Sequence, residues 1–161
     1  MRIGVVSDTH NNLKSARRIV ELFNAAGVAH VIHTGDITQA KTLDVFARLH
    51  VPLTGVFGNN DEERDALTQA INRHGFAFVE PPLTLTLHGR RILVTHDPYY
   101  LDGVLTPQLD LVLHGHTHRH RLEQTDCGLI FNPGECAGHM PGLNAIGVVD
   151  LDTLATELIR F

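Results

Sequence analysis

Five short polar motifs, each set directly after an apolar run, constrain this chain more than any other feature. They are Ser7-Asp8-Thr9-His10, Gly35-Asp36, Gly58-Asn59-Asn60-Asp61, Thr95-His96 and Gly115-His116-Thr117-His118. Short apolar runs bounded by turn-forming residues read as buried strands. Side chains at the ends of neighbouring strands converge on one edge of a sheet, where α/β proteins hold their ligands. The chain must therefore form a sheet whose strand ends collect these motifs.

The intervening stretches set the fold class. Residues 2–7 read as a buried strand and 12–26 as a helix, with Leu13, Ala16, Ile19, Val20, Phe23 and Ala26 at helical spacing and Gly27 as its stop. Residues 30–33 and 51–57 repeat the strand. Residues 39–49 and 62–74 repeat the helix, with Asp61 as the expected N-cap of the latter. Beyond residue 75 the pattern changes. Runs at 83–87 and 92–94 flank a turn at His88-Gly89-Arg90. A buried run covers 109–113, and strand-like pieces lie near 119–125, 128–132, 143–151 and 154–160. The reading is an α/β chain, βαβαβα followed by a mainly antiparallel sheet. With 161 residues, 43% of them apolar, it should form one domain around a filled core.

A net charge of −5 gives no basic footprint for a nucleic-acid surface. An acidic protein still binds phosphate where bound cations reverse the local sign. Cys127 and Cys136 form no CxxC pair and no disulfide framework, which fits a reducing compartment. The first residues lack a signal-peptide pattern and no run approaches a membrane span, so the expected location is the cytoplasm.

The motifs carry two aspartates, one asparagine amide and four imidazoles, a set able to hold two divalent ions side by side. On an extended backbone Asp8 and His10 point the same way and reach one ion. Read alone, they are equally an N-cap and a surface histidine. Asp36 has two carboxylate oxygens and can bridge two ions, or serve as a turn residue. Asn59 can ligate through its amide oxygen without adding charge, or belong to a Gly-Asn-Asn-Asp turn. His96 follows a strand end, with Asp97 either orienting an imidazole or lying in a solvated turn before Pro98. His116 and His118 are hard to explain by packing, because buried imidazoles need partners for both nitrogens. His114, just before Gly115, reads as structural. No motif suffices singly; all five in this order point to a dinuclear metal site.

As a set, Asp8-x-His10, Gly35-Asp36, Gly58-Asn59 with Asp61, His96 and Gly115-His116-x-His118 resemble the calcineurin-like metallophosphoesterases, and most closely the small YfcE-like phosphodiesterase group. The segment Asn132-Pro133-Gly134-Glu135-Cys136 resembles that group as well. The likeness runs from residue 1 to near 150 and leaves no insertion large enough for a cap domain. It implies a four-layer α/β/β/α sandwich of two mixed sheets. It also implies one ion held by Asp8, His10, Asp36 and His118, and a second by Asp36, Asn59, His96 and His116, with Asp36 bridging. The implied cofactors are two divalent ions, Mn2+ first and Fe, Co, Ni or Zn after it; mixed oxygen and nitrogen donors without thiolate suit these metals. The implied activity is hydrolysis of a small phosphate diester by a hydroxide bridging the ions, with Asp36, Asn59, Asn60 and His96 as candidate catalytic residues. A homo-oligomer is a further expectation from the resemblance.

The sequence departs from this family at two places. Many relatives carry histidine where this chain has Asn60, and asparagine supplies no titrating proton. The expected substrates are therefore esters with good leaving groups, such as aryl or nucleotide phosphodiesters, with His139 and His33 as substitute acids. Asp97 stands where relatives commonly have glycine. Arg119 and Arg121 are candidates to steer an anion. Asn11 and Asn12 are candidates to contact substrate or, for Asn12, to cap the first helix. Alternative activities on the same site are phosphomonoester or dinucleotide polyphosphate hydrolysis. A non-catalytic scaffold like the retromer subunit of similar fold would be expected only with broken ligand motifs, and here all seven positions are filled.

Overall fold

The computed structural model describes residues 1–161. The chain begins with strand β1 (Arg2–Val6), helix α1 (Leu13–Ala26), β2 (His30–His33), α2 (Ala40–Phe46), β3 (Leu53–Val56), α3 (Arg64–His74) and β4 (Ala77–Val79). Each helix carries the chain back, so β1, β2, β3 and β4 pair in parallel. In α1, Ala16, Ile19, Val20 and Phe23 are buried, the stripe that a period of 3.6 requires. Asn12 caps it, its side chain accepting a hydrogen bond from the Ser15 N–H at 3.1 Å.

The second half supplies β5 (Leu83–Leu87), β6 (Arg90–Val94), a 3-10 helix (Pro98–Leu101), β7 (Leu111–Leu113), β8 (Arg121–Thr125), β9 (Gly128–Asn132), β10 (Ala145–Asp150) and β11 (Thr156–Arg160). The turn between β5 and β6 has two residues, His88 and Gly89, both at positive φ (50° and 77°), the tight hairpin geometry; Arg90 belongs to β6. The first sheet has the order β11-β10-β1-β2-β3-β4 and the second β5-β6-β7-β9-β8. The second sheet is mixed rather than mainly antiparallel, because β6 pairs β7 and β7 pairs β9 in parallel. The link from β6 to β7 is long enough for a crossover, and parallel pairing needs one.

Three apolar layers follow from strand alternation. Val6 faces the helices while Ile3 and Val5 face the second sheet. Gly4 also faces the helices, and a Cβ there would strike the ring of Phe23. Leu93, Val112 and Ile130 point outward from the second sheet, under Leu101 and Leu109. The four layers are thus helices, sheet, sheet, and a thin cover made by the 3-10 helix and the loop after it. Twelve buried residues lie between the sheets, each stabilising the fold by about 1.5–3 kcal/mol relative to exposure. That core fixes how the two sets of strand ends meet.

Candidate metal centre

The polar motifs extend the C-terminal ends of β1, β2, β3, β6 and β7, which run in parallel within each sheet. Asp8 and His10 follow β1, Asp36 follows β2, Asn59 follows β3, His96 follows β6, and His116 and His118 follow β7. The sheets are joined at this edge: the His116 N–H donates to Asp8 Oδ2 at 3.1 Å. The expected extended backbone at Asp8 and His10 is not found. Asp8 (φ 51°), His10 (39°), Asp36 (59°), His116 (67°) and His118 (56°) all lie in the left-handed region. Each such residue costs about 1–2 kcal/mol, which the inter-sheet core outweighs. Strain of this kind collects at functional sites, and here it turns side chains inward at the point where strands become loops.

Two groups of donor atoms result. In the first, atoms of Asp8, His10, Asp36 and His118 all lie within 4.8 Å of one another. His10 Nε2 is 3.2 Å from His118 Nε2, and His118 Nε2 is 3.4 Å from Asp8 Oδ1. In the second, Asn59 Oδ1 is 3.0 Å from His96 Nε2 and 3.1 Å from His116 Nδ1. Asp36 Oδ2 belongs to both, at 3.3 Å from His10 Nε2 and 3.5 Å from His96 Nε2.

The surroundings orient these atoms for a cation. His96 Nδ1 donates to the Thr34 carbonyl at 2.9 Å, leaving the Nε2 lone pair toward Asn59 and Asp36. His118 Nδ1 faces Glu135 Oε2 at 3.3 Å, which likewise frees Nε2. Asp8 Oδ1 is buried and has no hydrogen-bond partner at all. A buried carboxylate oxygen without a donor is costly, and beside two imidazole nitrogens it fits a metal ligand. The donor set therefore suits divalent cations.

Burial pushes the Asp8 carboxyl above its usual range, although the Ser7 hydroxyl, donating at 2.5 Å, opposes this. Burial pushes Asp36 the same way. It is outweighed by the hydrogen bond and charge of His96 and by Asn60, so Asp36 stays well below the ordinary carboxylate range. Burial lowers His10. Burial also works to lower His96, but Asp36 overrides it and His96 is raised.

Asn60 does not point away from this centre. Its side-chain amide donates to Asp36 Oδ2 at 2.8 Å and its backbone N–H to Asp36 Oδ1 at 2.9 Å. Asp61 is not the N-cap of α3; Glu63 holds that position. Asp61 instead accepts from the N–H groups of Thr38 (2.6 Å), Gly58 (2.7 Å) and Asp36 (3.1 Å), tying two ligand loops together. His33 is fully buried: its Nδ1 accepts from the Gly35 N–H at 3.1 Å, so its Nε2 donates to Thr9 Oγ1 at 3.2 Å. It is structural and cannot serve as the acid. His139 stands at the rim, stacked on His118 with ring centres 5.3 Å apart. Asp97 caps the 3-10 helix, accepting from the Tyr99 N–H at 2.9 Å. Arg121 pairs with Glu123 rather than facing the centre. Cys136 is buried, and burial raises its thiol further, so it is inert.

Two residues went unassigned in the sequence. Glu135 is fully buried, orients His118 and accepts from the Met140 N–H at 2.6 Å. Ser7 holds Asp8. Glu135 did carry a signal: like the ligands, it follows an apolar strand through a short Asn-Pro-Gly turn.

The comparisons agree with this geometry. Residues 1–154 match the model of the calcineurin-like phosphoesterase superfamily domain. The chain belongs to the calcineurin-like phosphoesterase superfamily. Members of this superfamily are hydrolases of phosphoric esters that use divalent metal ions. Phosphodiesterase MJ0936 of Methanocaldococcus jannaschii is 33% identical over 158 residues, covering 94% of each chain. Phosphodiesterase YfcE of Escherichia coli is 26% identical over 171 residues, covering 96% of this chain and 90% of the relative. The solved structure of an archaeal phosphodiesterase superposes over the whole of both chains with a TM-score of 0.92 at 30% identity. No helix is long and apolar enough to cross a membrane.

Proposed function

We propose that the chain is a phosphodiesterase acting with two divalent ions. Asp8, His10, Asp36 and His118 hold one, and Asp36, Asn59, His96 and His116 hold the other. The observation that carries this reading is the position of Asp36 Oδ2, within 3.3 Å of His10 and 3.5 Å of His96. One carboxylate oxygen thus serves both groups of donors. Bound ions would acidify a water between them and offset charge on the phosphoryl oxygens. The protein's own part is to present ligand lone pairs in fixed directions. His96 is held by Thr34, His118 by Glu135 and Asp36 by Asn60. Manganese is the first-choice metal, because the donors are oxygen and imidazole nitrogen without thiolate.

Asn60 is engaged with Asp36 and has no proton to give, so the leaving group departs with little acid assistance. Aryl and nucleotide diesters, whose leaving groups are good, are the favoured substrates. Both curated relatives are phosphodiesterases, which supports the diester class. Residues 1–161 would act as one catalytic domain without a cap. The two free cysteines fit a cytoplasmic location.

Chelator-treated protein should lose hydrolysis of bis(p-nitrophenyl) phosphate and regain it with Mn2+. Asp36→Ala should lose both turnover and bound metal by elemental analysis. Full turnover by the chelated protein, or an Asp36→Ala protein with normal metal content and rate, refutes the reading.

A further inference from the structure

Two adjoining cavities lead away from the metal ligands. The inner one, about 260 Å³, is lined by Asn59, His96 and His116 together with Arg64 and Tyr100. The outer one, about 510 Å³, lies within the volume range of small-molecule sites. Glu80, Pro81 and Tyr100 line both, so the two form one groove. Tyr99 and Tyr100 are the most exposed large apolar side chains of the protein, at 82% and 72%. They are not loosely held. Their 3-10 helix is capped by Asp97 at one end and anchored by buried Leu101 at the other. That helix begins two residues after His96, so the aromatic pair is tethered directly to a candidate ligand.

Charge narrows the occupant. Glu80 and Asp102 line the outer cavity, and no lysine or arginine does. The one cation near, Arg64, is paired with Glu80 at 3.1 Å and lies 4.0 Å over the Phe57 ring. Arg64 offsets Glu80, so the uncompensated carboxylates are Asp102 in the outer cavity and Asp97 in the inner one; they repel a second phosphate and suit an uncharged group with hydroxyls that donate to carboxylates. Pro81, Pro82 and the Tyr100 ring in the lining suit a flat aromatic group.

Resting on the phosphodiesterase reading above, we infer that this groove binds the nucleoside of a nucleotide diester, with its base stacked on Tyr100. Tyr100 takes this role because it alone of the two tyrosines lines both cavities. A ribose or deoxyribose then lies toward Glu80 and Asp102, and the phosphate toward His96 and His116. Polyphosphate chains are disfavoured by the same carboxylates. Stacking on an aromatic side chain strengthens binding by about tenfold per base.

Two diesters with one leaving group test this in the Mn2+-loaded protein: thymidine 5′-(p-nitrophenyl phosphate) and methyl p-nitrophenyl phosphate. The wild type should favour the nucleoside ester by about tenfold in kcat/KM. Tyr100→Ala should bring that ratio close to one, chiefly through KM, and Tyr100→Phe should keep it. No preference in the wild type, or a preference that survives Tyr100→Ala, overturns the assignment. If neither ester is hydrolysed, the phosphodiesterase reading fails by itself, and adenosine binding followed by NMR still decides the groove. The chain has two tyrosines and no tryptophan, so tyrosine ring signals report on this site alone. Upfield shifts of the Tyr100 ring protons on adding adenosine support it, and unmoved signals overturn it.

Discussion

Asn60 gives two hydrogen bonds to a single carboxylate, one from its backbone and one from its amide. Hydrogen bonds to charged groups are worth about 1.5–3 kcal/mol, so Asn60→Ala should lower kcat/KM by roughly tenfold or more and loosen metal binding. Steady-state rates and metal titration of that variant check this; wild-type values for both would remove Asn60 from the site. His33 makes a second prediction at the same scale. Burial drops its pKa from 6.5 to about 3. Between those values the unfolded chain takes up a proton that the folded chain refuses. The stability His33 contributes is therefore whole above about pH 6.5 and is lost as pH falls toward about 3, by up to about 1.4 kcal/mol per unit. Urea midpoints from pH 7 to 4.5 should fall more steeply for the wild type than for His33→Gln, and parallel slopes would contradict it. The sequence offered His33 and His139 equally as acids. Burial separates them: His33 is fully enclosed at the end of β2, whereas His139 is exposed at the rim.

At the level of elements, loops rather than helices or strands hold the chemistry. Gly58 shows how little room they leave: a Cβ there would collide with the Asp36 carboxylate and lie 2.5 Å from the Asp36 nitrogen. Gly75, at the C-cap of α3, has φ of 69° and open space around it. Gly58→Ala should therefore abolish metal-dependent turnover, whereas Gly75→Ala should cost only about 1–2 kcal/mol of stability and leave turnover intact. Activity assays and thermal melts of the pair distinguish these outcomes, and an active Gly58→Ala protein would show that the loop can move aside. The amphipathic stripe of α1 was legible because fourteen residues give it four turns of pattern. β4 has no sequence signature, because its three residues, two of them exposed, carry no pattern. Apolar spacing carries the second helix to 49, but it ends at Phe46, since Arg48 and Leu49 bond back to Val45 and Phe46 in tighter turns.

For the molecule as a whole, the site is a seam between two sheets, and its ligands are strained and partly unpaired without a cation. A ligand that binds only the folded state stabilises it by about 2.7 kcal/mol at a hundredfold excess over Kd. In a chain of this size that is a rise in Tm on the order of 5–10 °C. Calorimetry of chelated protein with and without Mn2+ measures it. Asp8→Ala should blunt the rise, and a melting point indifferent to Mn2+ would mean that the seam does not bind the ion.

The order of elements through α3 and the position of each ligand motif at a strand end were determined by the sequence, because both depend on short-range periodicity and local turn chemistry. The tertiary structure alone decided how near to one another the donor atoms stand, that Asn60 and Asp61 brace the loops, that Glu135 stands behind His118, and that two tyrosines wall the groove. These relations join residues as far apart as His10 and His118, 108 positions along the chain. They exist only once a buried layer of side chains has fixed one sheet against the other, and no local pattern encodes that alignment.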